Sequence, residues 1–255
     1  LSSSSAASDV YKRQGLVITH GHEDHIGGLP YLLSDLGLPP IYATRLTLGL
    51  ISVKLREAGL HRTSETHEIC PGEEIRLGSF KIEFYRVAHS IPDGVGVVVG
   101  TPAGLLVHSG DFKLDYTPVD GRPTDMSKLA ELGKRNVLAL LCDCVRVESP
   151  GYTPSEKVIG DALDALFAQA EGRVIIATFA SNISRIQQVL EVPNLIKVQL
   201  DSFQRFQEEG IKQLLEEISP IRDMTGNRLE LSFVGYELRE PRNHVKECHD
   251  RDLTY

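Results

Sequence analysis

The chain has 255 residues, with 35 acidic against 27 basic side chains and a formal net charge of −8. That length is enough for one sizeable core, and the acidic balance excludes nucleic-acid binding by bulk charge, so such a ligand would need a local basic groove. No apolar run is long enough for a bilayer and no secretory signal is evident, which places the expected location in the cytoplasm with no membrane partner.

In chain order, residues 1–14 (LSSSSAASDVYKRQ) are low in complexity, read as disordered, and resemble translated adaptor sequence. From Gly15 onward short apolar runs alternate with amphipathic stretches. Strands are expected at 16–19, 41–43, 81–88, 95–100, 105–108, 137–142 and 174–178, and helices at 29–36, 45–58, 126–133, 154–170 and 183–190. The recurrence of both periods points to a layered α/β domain rather than a bundle or an all-β sandwich. Four scattered cysteines, Cys70, Cys142, Cys144 and Cys248, lack the spacing of a disulfide framework or zinc knuckle. They read as buried reduced thiols, with Cys142 and Cys144 sharing one face of a strand.

The first apolar strand runs into His20-Gly21-His22-Glu23-Asp24-His25. Residues i and i+2 of an extended segment point the same way, so His20 and His22 can grip one ion, while Asp24 and His25 reach a second where the chain turns. Imidazole and carboxylate suit zinc or manganese, and two such ions side by side can activate water. The competing reading is a polar loop of satisfied histidines.

The stretch THGHEDHIGGLPYLL resembles the signature of the metallo-β-lactamase superfamily, and in particular its RNA-cleaving ribonuclease J branch. Further matching pieces follow in order: Val87-Ala88-His89-Ser90-Ile91-Pro92-Asp93, His108-Ser109-Gly110-Asp111-Phe112-Lys113, Leu141-Cys142-Asp143, Glu148-Ser149-Pro150-Gly151 and Ala177-Thr178-Phe179-Ala180-Ser181-Asn182. The resemblance covers about 15–190 and implies an αββα sandwich with metals at the rim between two sheets. It implies two divalent ions, zinc first and manganese second, held by His20, His22, Asp24, His25, His89 and Asp111, with Asp111 bridging both. It implies Asp24, Asp111 and Asp143 as catalytic carboxylates, and Ser181, Asn182 and Arg185 as residues lining the nucleotide path. The other reading of the last three is a helix N-cap followed by a solvated arginine. Ser155 and Glu156 read as helix-start chemistry, His108 as structural, and His61, His67, His244 and His249 as solvated.

The chain departs from the family where DSTN is usual, reading Asp143-Cys144-Val145-Arg146, and where HSIPD is normally followed by serine, reading Gly94. The early strands that carry the family's glycine-rich turn, and most of its β-CASP insert, are absent from the match, so the fold is expected to be incomplete. From Val192-Pro193-Asn194-Leu195 to Tyr255 the sequence resembles the N-terminal part of a bacterial RNA polymerase β subunit, with a helix expected at 203–218 and a strand at 228–234. The expected organisation is thus 1–14 as a tail, 15–190 as a metallo-β-lactamase fragment running into the start of β-CASP, and 191–255 as an unrelated α+β segment joined at a chimeric junction. RNA polymerase contacts would arise only through that segment.

By resemblance the function is metal-dependent RNA hydrolysis, endonucleolytic and 5′-to-3′ exonucleolytic, on single-stranded RNA, with homo-oligomers in the family. The chain as it stands is expected to be weak or inactive. The alternatives are another hydrolase of the superfamily, acting on thioesters or lactams, and a non-enzymatic chimeric fragment.

Overall fold

The computed structural model describes residues 13–170, 176, 178–179 and 181–191, together with the backbone of the strands at 198–200 and 231–233. Three parallel strands form a first sheet: β1 (Leu16–Val17), β2 (Ile41–Ala43) and β3 (Thr66–Glu68), in the order β1-β2-β3. A second sheet runs β4 (Glu74–Leu77), β5 (Phe80–Arg86), β6 (Val95–Thr101), β7 (Gly104–His108) and β8 (Val137–Leu141) in chain order. It is antiparallel up to β7, and β8 joins parallel. The helices are α1 (Glu23–Ile26), α2 (Leu29–Leu32), α3 (Arg45–Glu57), α4 (Met126–Leu132), α5 (Lys157–Gln169) and α6 (Ile183–Glu191).

Three apolar clusters define the layers. α3 presents Leu46, Leu50, Ile51 and Leu55 at helical spacing, and these pack with Ile18, Ile41 and Ala43 of the first sheet and with Ile183 of α6. Between the sheets lie Ile82, Phe84, Val95 and Val97, with Val17 and Tyr42 against them. The intervening residues Tyr85, Val98, Leu105 and Val107 face the other way, onto Leu129 and Leu132 of α4. The period-two alternation of β5 and β6 therefore serves two cores at once. The order is helix, sheet, sheet, helix, and each fully buried Leu, Ile or Phe contributes about 1.5–3 kcal/mol of transfer free energy.

Differences from the sequence expectation have local causes. The helix expected at 29–36 is regular only over Leu29–Leu32. Hydrogen bonds continue irregularly, with Leu36 N–H to Leu32 C=O at 2.9 Å, until Gly37 (φ 80°) and Leu38 (φ 53°) reverse the chain. β3 and β4 were not expected, because Thr66-His67-Glu68 and Glu74-Ile75-Arg76-Leu77 are too polar to form an apolar run. The apolar run at 137–142 forms a strand as expected, yet all five residues of β8 are exposed: it lies at the edge of its sheet and neither of its faces is covered among the described residues. The buried-thiol expectation fails there too: Cys142 and Cys144 are exposed, just beyond the end of that uncovered strand, and Cys70 is half-buried. α5 buries none of its residues among the described ones.

The strand expected at 174–178 and the helix at 203–218 fall on residues mostly or wholly outside those described, as do Cys248, His244 and His249. Within the stretch expected to be polymerase-like, β9 (Val198–Leu200) and β10 (Leu231–Phe233) pair in parallel. No helix among the described residues is long and apolar enough to cross a membrane.

Candidate metal centre

The first sheet delivers His20 on an extended stretch just past β1. Ile18 N–H bonds Tyr42 C=O within that sheet, and Thr19 C=O accepts from Val95 N–H of the second sheet, each at 2.9 Å. The chain here is thus fixed from both sides. Gly21 follows because a Cβ there would lie 2.4 Å from Leu50 Cδ1 of α3. His22 stands at the N-cap of α1, and Asp24 and His25 lie on that single helical turn rather than on a loose bend. Lys54 of α3, itself buried, donates to both carboxylate oxygens of Glu23, at 2.7 and 2.6 Å, and so holds α1 in place. That bond spans 31 residues and has no signature in the sequence.

The second sheet supplies the other two side chains. His89 follows the bridge between Ala88 and Lys113, and Asp111 precedes it on the opposite segment. Gly110 turns the chain there at φ 61°. Beyond His89, Asp93 adopts φ 61°; its backbone carbonyl accepts from the Thr44 hydroxyl at 2.9 Å, and its carboxylate accepts from Leu46 N–H. Thr44, the N-cap residue of α3, makes no cap bond of its own, so the HSIPD segment caps that helix from a distance.

These pieces converge into two groups of ligand atoms. His20, His22, His89 and Asp111 form one; Asp24, His25 and Asp111 form the other; and Asp111 belongs to both. His22 Nδ1 lies 3.1 Å from His20 Nε2 and 3.1 Å from His89 Nε2. Asp111 Oδ2 lies 3.7 Å from His20 Nε2, 3.7 Å from His89 Nε2 and 3.5 Å from His25 Nε2. A tetrahedral ion with bonds of about 2.0–2.1 Å spaces its ligands ~3.3 Å apart. The observed separations fit one ion within the first group and a second shared through the aspartate.

Protonation also fits. Burial, reinforced by the neighbouring imidazoles of His25, His22 and His89, drives the His20 pKa down to about 2. Burial followed by His22 lowers that of His89 to about 4, and burial lowers that of His22. All three rings are neutral near pH 7 and present lone pairs to a cation. The Thr19 hydroxyl meets the outer nitrogen of His20, Nδ1, at 3.1 Å, which leaves Nε2 for the cluster.

The remaining expected residues lie outside the two ligand groups. Asp143 belongs to neither ligand group: its N–H donates to Ser109 Oγ at 2.9 Å and its Oδ1 accepts from Val145 N–H at 2.9 Å. Asn182 Oδ1 accepts from Arg185 N–H at 3.1 Å, which is the helix-cap arrangement. Arg185 Nη2 donates to Glu156 Oε2 at 2.9 Å, and Ser181 touches His22 through its backbone carbonyl. Glu156 therefore does more than start a helix, since its other oxygen accepts from Lys113 Nζ at 3.0 Å. His108 Nδ1 accepts from Gly110 N–H at 2.9 Å, a structural role, and His61 is exposed. His67 is only partly solvated: it stacks on Tyr42 at 4.7 Å and lies 2.8 Å from Glu65.

Comparison with known proteins gives the chain its relatives. It is 47% identical over 182 residues to ribonuclease J of Synechocystis sp., covering 71% of this chain and 28% of that protein. To ribonuclease J of Thermus thermophilus it is 49% identical over 186 residues, covering 71% and 32%. To ribonuclease J 1 of Streptococcus pyogenes it is 44% identical over 203 residues, covering 80% and 36%. The chain thus spans about a third of the length of these relatives. The last alignment is too long to end at residue 190, so the ribonuclease J likeness continues past the expected junction. A solved structure of a protein of unknown function from Enterococcus faecalis shares the fold, with a TM-score of 0.61 at 17% identity over 88% of this chain and 52% of that one. The model of the β-lactamase superfamily domain matches residues 3–176, beginning inside the stretch that composition set apart as a tail. With its two-sheet sandwich and a histidine–aspartate cluster at the rim, the chain belongs to the β-lactamase superfamily and has the metallo-β-lactamase fold.

Proposed function

We propose that this chain is the metal-binding part of a ribonuclease J-type hydrolase that cleaves phosphodiester bonds in single-stranded RNA. The observation that carries the reading is the pair of ligand groups sharing Asp111, in a chain 44–49% identical to three ribonucleases J. Two divalent cations at these positions, zinc first and manganese second, would supply Lewis-acid activation of water and neutralise charge developing on the scissile phosphate. His20, His22 and His89 hold the first position as neutral donors, and Asp24 and His25 hold the second. Asp111 fixes the spacing between the two. Asp143, hydrogen-bonded to Ser109 two residues before Asp111, steadies the loop that carries the shared carboxylate. Ser181, Asn182 and Arg185 lie beside the cluster where a nucleotide would pass, and Arg185 meets a phosphate only by exchanging its bond to Glu156. The endonucleolytic and 5′-to-3′ exonucleolytic modes belong to the same proposal, both served by this one site.

The test is metal analysis combined with cleavage of a labelled single-stranded RNA, with zinc or manganese added. Two ions per chain and metal-dependent cleavage above a chelated control are expected. Asp111→Ala should lose both ions and all cleavage together. A chain that loads two ions and hydrolyses a lactam or thioester, but leaves RNA intact, overturns the reading.

A further inference from the structure

His22 is the one histidine of the cluster whose inward atom is Nδ1; its Nε2 points outward, 3.5 Å from the Ser90 hydroxyl. The same ring bonds the backbone carbonyl of Ser181, at the entry to α6. With Nδ1 turned to the other imidazoles and Nε2 turned to the Ser90 hydroxyl, the outer nitrogen is the one placed to carry the ring proton, leaving the Nδ1 lone pair facing the cluster. The entry turn is itself pinned: Asn182 caps it, Ser184 N–H reaches Ser90 C=O at 3.5 Å, and Ile183 is buried in the core with α3.

One turn further on, Arg185 and Gln188 both grip Glu156, the latter through a bond from Nε2 to the backbone carbonyl at 2.6 Å. Glu156 accepts from Lys113, and Lys113 N–H bonds Ala88 C=O at 2.7 Å. Ala88 is adjacent to His89, and Lys113 lies two residues after Asp111. The helix and its entry turn therefore reach three of the four residues of the first ligand group, His22 by way of Ser90, and His89 and Asp111 through two charge-assisted bonds and one backbone bond.

We propose that α6 and its entry turn are a positioning element for the metal centre. Through Ser90, whose hydroxyl meets His22 Nε2 and whose carbonyl accepts from Ser184 N–H, the turn sets the tilt of His22; through Arg185–Glu156–Lys113 the helix sets the separation of His89 and Asp111. None of these groups touches substrate in this role, so Arg185 and Glu156 are positioning residues. The inference rests on the two-ion reading above and deepens it, because it moves Arg185 from an RNA contact to a brace of the site.

The experiment uses the full 255-residue chain without RNA and reads zinc affinity by chelator competition and the visible spectrum of the cobalt-substituted protein. Arg185→Met and Asn182→Ala should each weaken zinc binding by about tenfold to a hundredfold and alter the cobalt absorption. Glu156→Gln, nearly isosteric, carries the same expectation if Arg185→Met does not fold. Folded variants with the parent's affinity and cobalt spectrum overturn the inference alone. A parent chain that takes up no metal overturns the two-ion reading and this inference with it.

Discussion

Gly110 shows how much of a metal site is decided by a residue that carries no ligand. Its φ of 61° lies in the left-handed region, and a Cβ there would sit 2.8 Å from the Val95 carbonyl oxygen, which belongs to rigid β6 and cannot move aside. The neighbouring Asp111 enters both ligand groups only because the chain turns at this point. Gly110→Ala should therefore cost about 2 kcal/mol, combining the left-handed penalty with the backbone clash. It should also lower metal content, since the shared carboxylate is displaced. Denaturant unfolding and metal analysis check both parts; an alanine variant of parental stability and full occupancy refutes the argument. The six residues of the two candidate groups are legible in the sequence, the first four from local spacing and His89 and Asp111 only through resemblance to a family. For Ser181, Asn182 and Arg185 the sequence leaves two readings, because capping and phosphate binding use the same side chains, and only tertiary partners such as Glu156 bear on the choice.

Between β5 and α4 a second constraint appears that no motif announces. Glu83 faces α4 and accepts from Lys128 at 2.8 Å and from both terminal nitrogens of Arg135, at 3.0 and 2.9 Å. The Arg135 bonds, and then Lys128, hold its carboxyl down to about 2, against an ordinary value of 4.5. A depressed carboxyl pKa contributes stability that is present above the unfolded value and is lost as pH falls through the folded one. Glu83→Gln should therefore destabilise the chain by about 2 kcal/mol at pH 7. The gap between parent and variant should narrow from pH 4.5 towards pH 2, and denaturant midpoints across that window measure it. A gap at pH 3 as wide as at pH 7 would show that the carboxylate's charge is not what matters. Elements of this kind are legible where local pattern decides them: α3 and α4 end within one residue of their expected limits. They are not legible where neighbours decide, as at β8, whose apolar run says nothing of its place at a sheet edge, or at β3 and β4, each held by pairing to one neighbour, β2 and β5, despite polar sequences.

Across the whole molecule the ligand set is divided between two layers. His20, His22, Asp24 and His25 come from the segment that leaves the first sheet, whereas His89 and Asp111 come from the second. An ion bound there joins the two sheets at their rim, alongside the inter-sheet cluster of Ile82, Phe84, Val95 and Val97. The αββα layering is legible from alternating periods and from family resemblance, but this mechanical role follows only from which sheet carries which ligand. Metal binds the folded arrangement far better than an unfolded chain whose ligands are scattered from 20 to 111, so it stabilises by mass action, by about 2.7 kcal/mol at a hundredfold excess over Kd. For a domain of roughly 150–250 residues that corresponds to an increase in Tm of about 5–10 °C. Zinc should therefore raise the unfolding temperature, while leaving a single transition because both layers are tied together. Asp111→Ala, lacking the ligand common to both groups, should show no such shift. Calorimetry with and without chelator tests this. A parent chain that loads zinc but melts at an unchanged temperature would mean that the ions sit on one layer and do not bridge the sandwich.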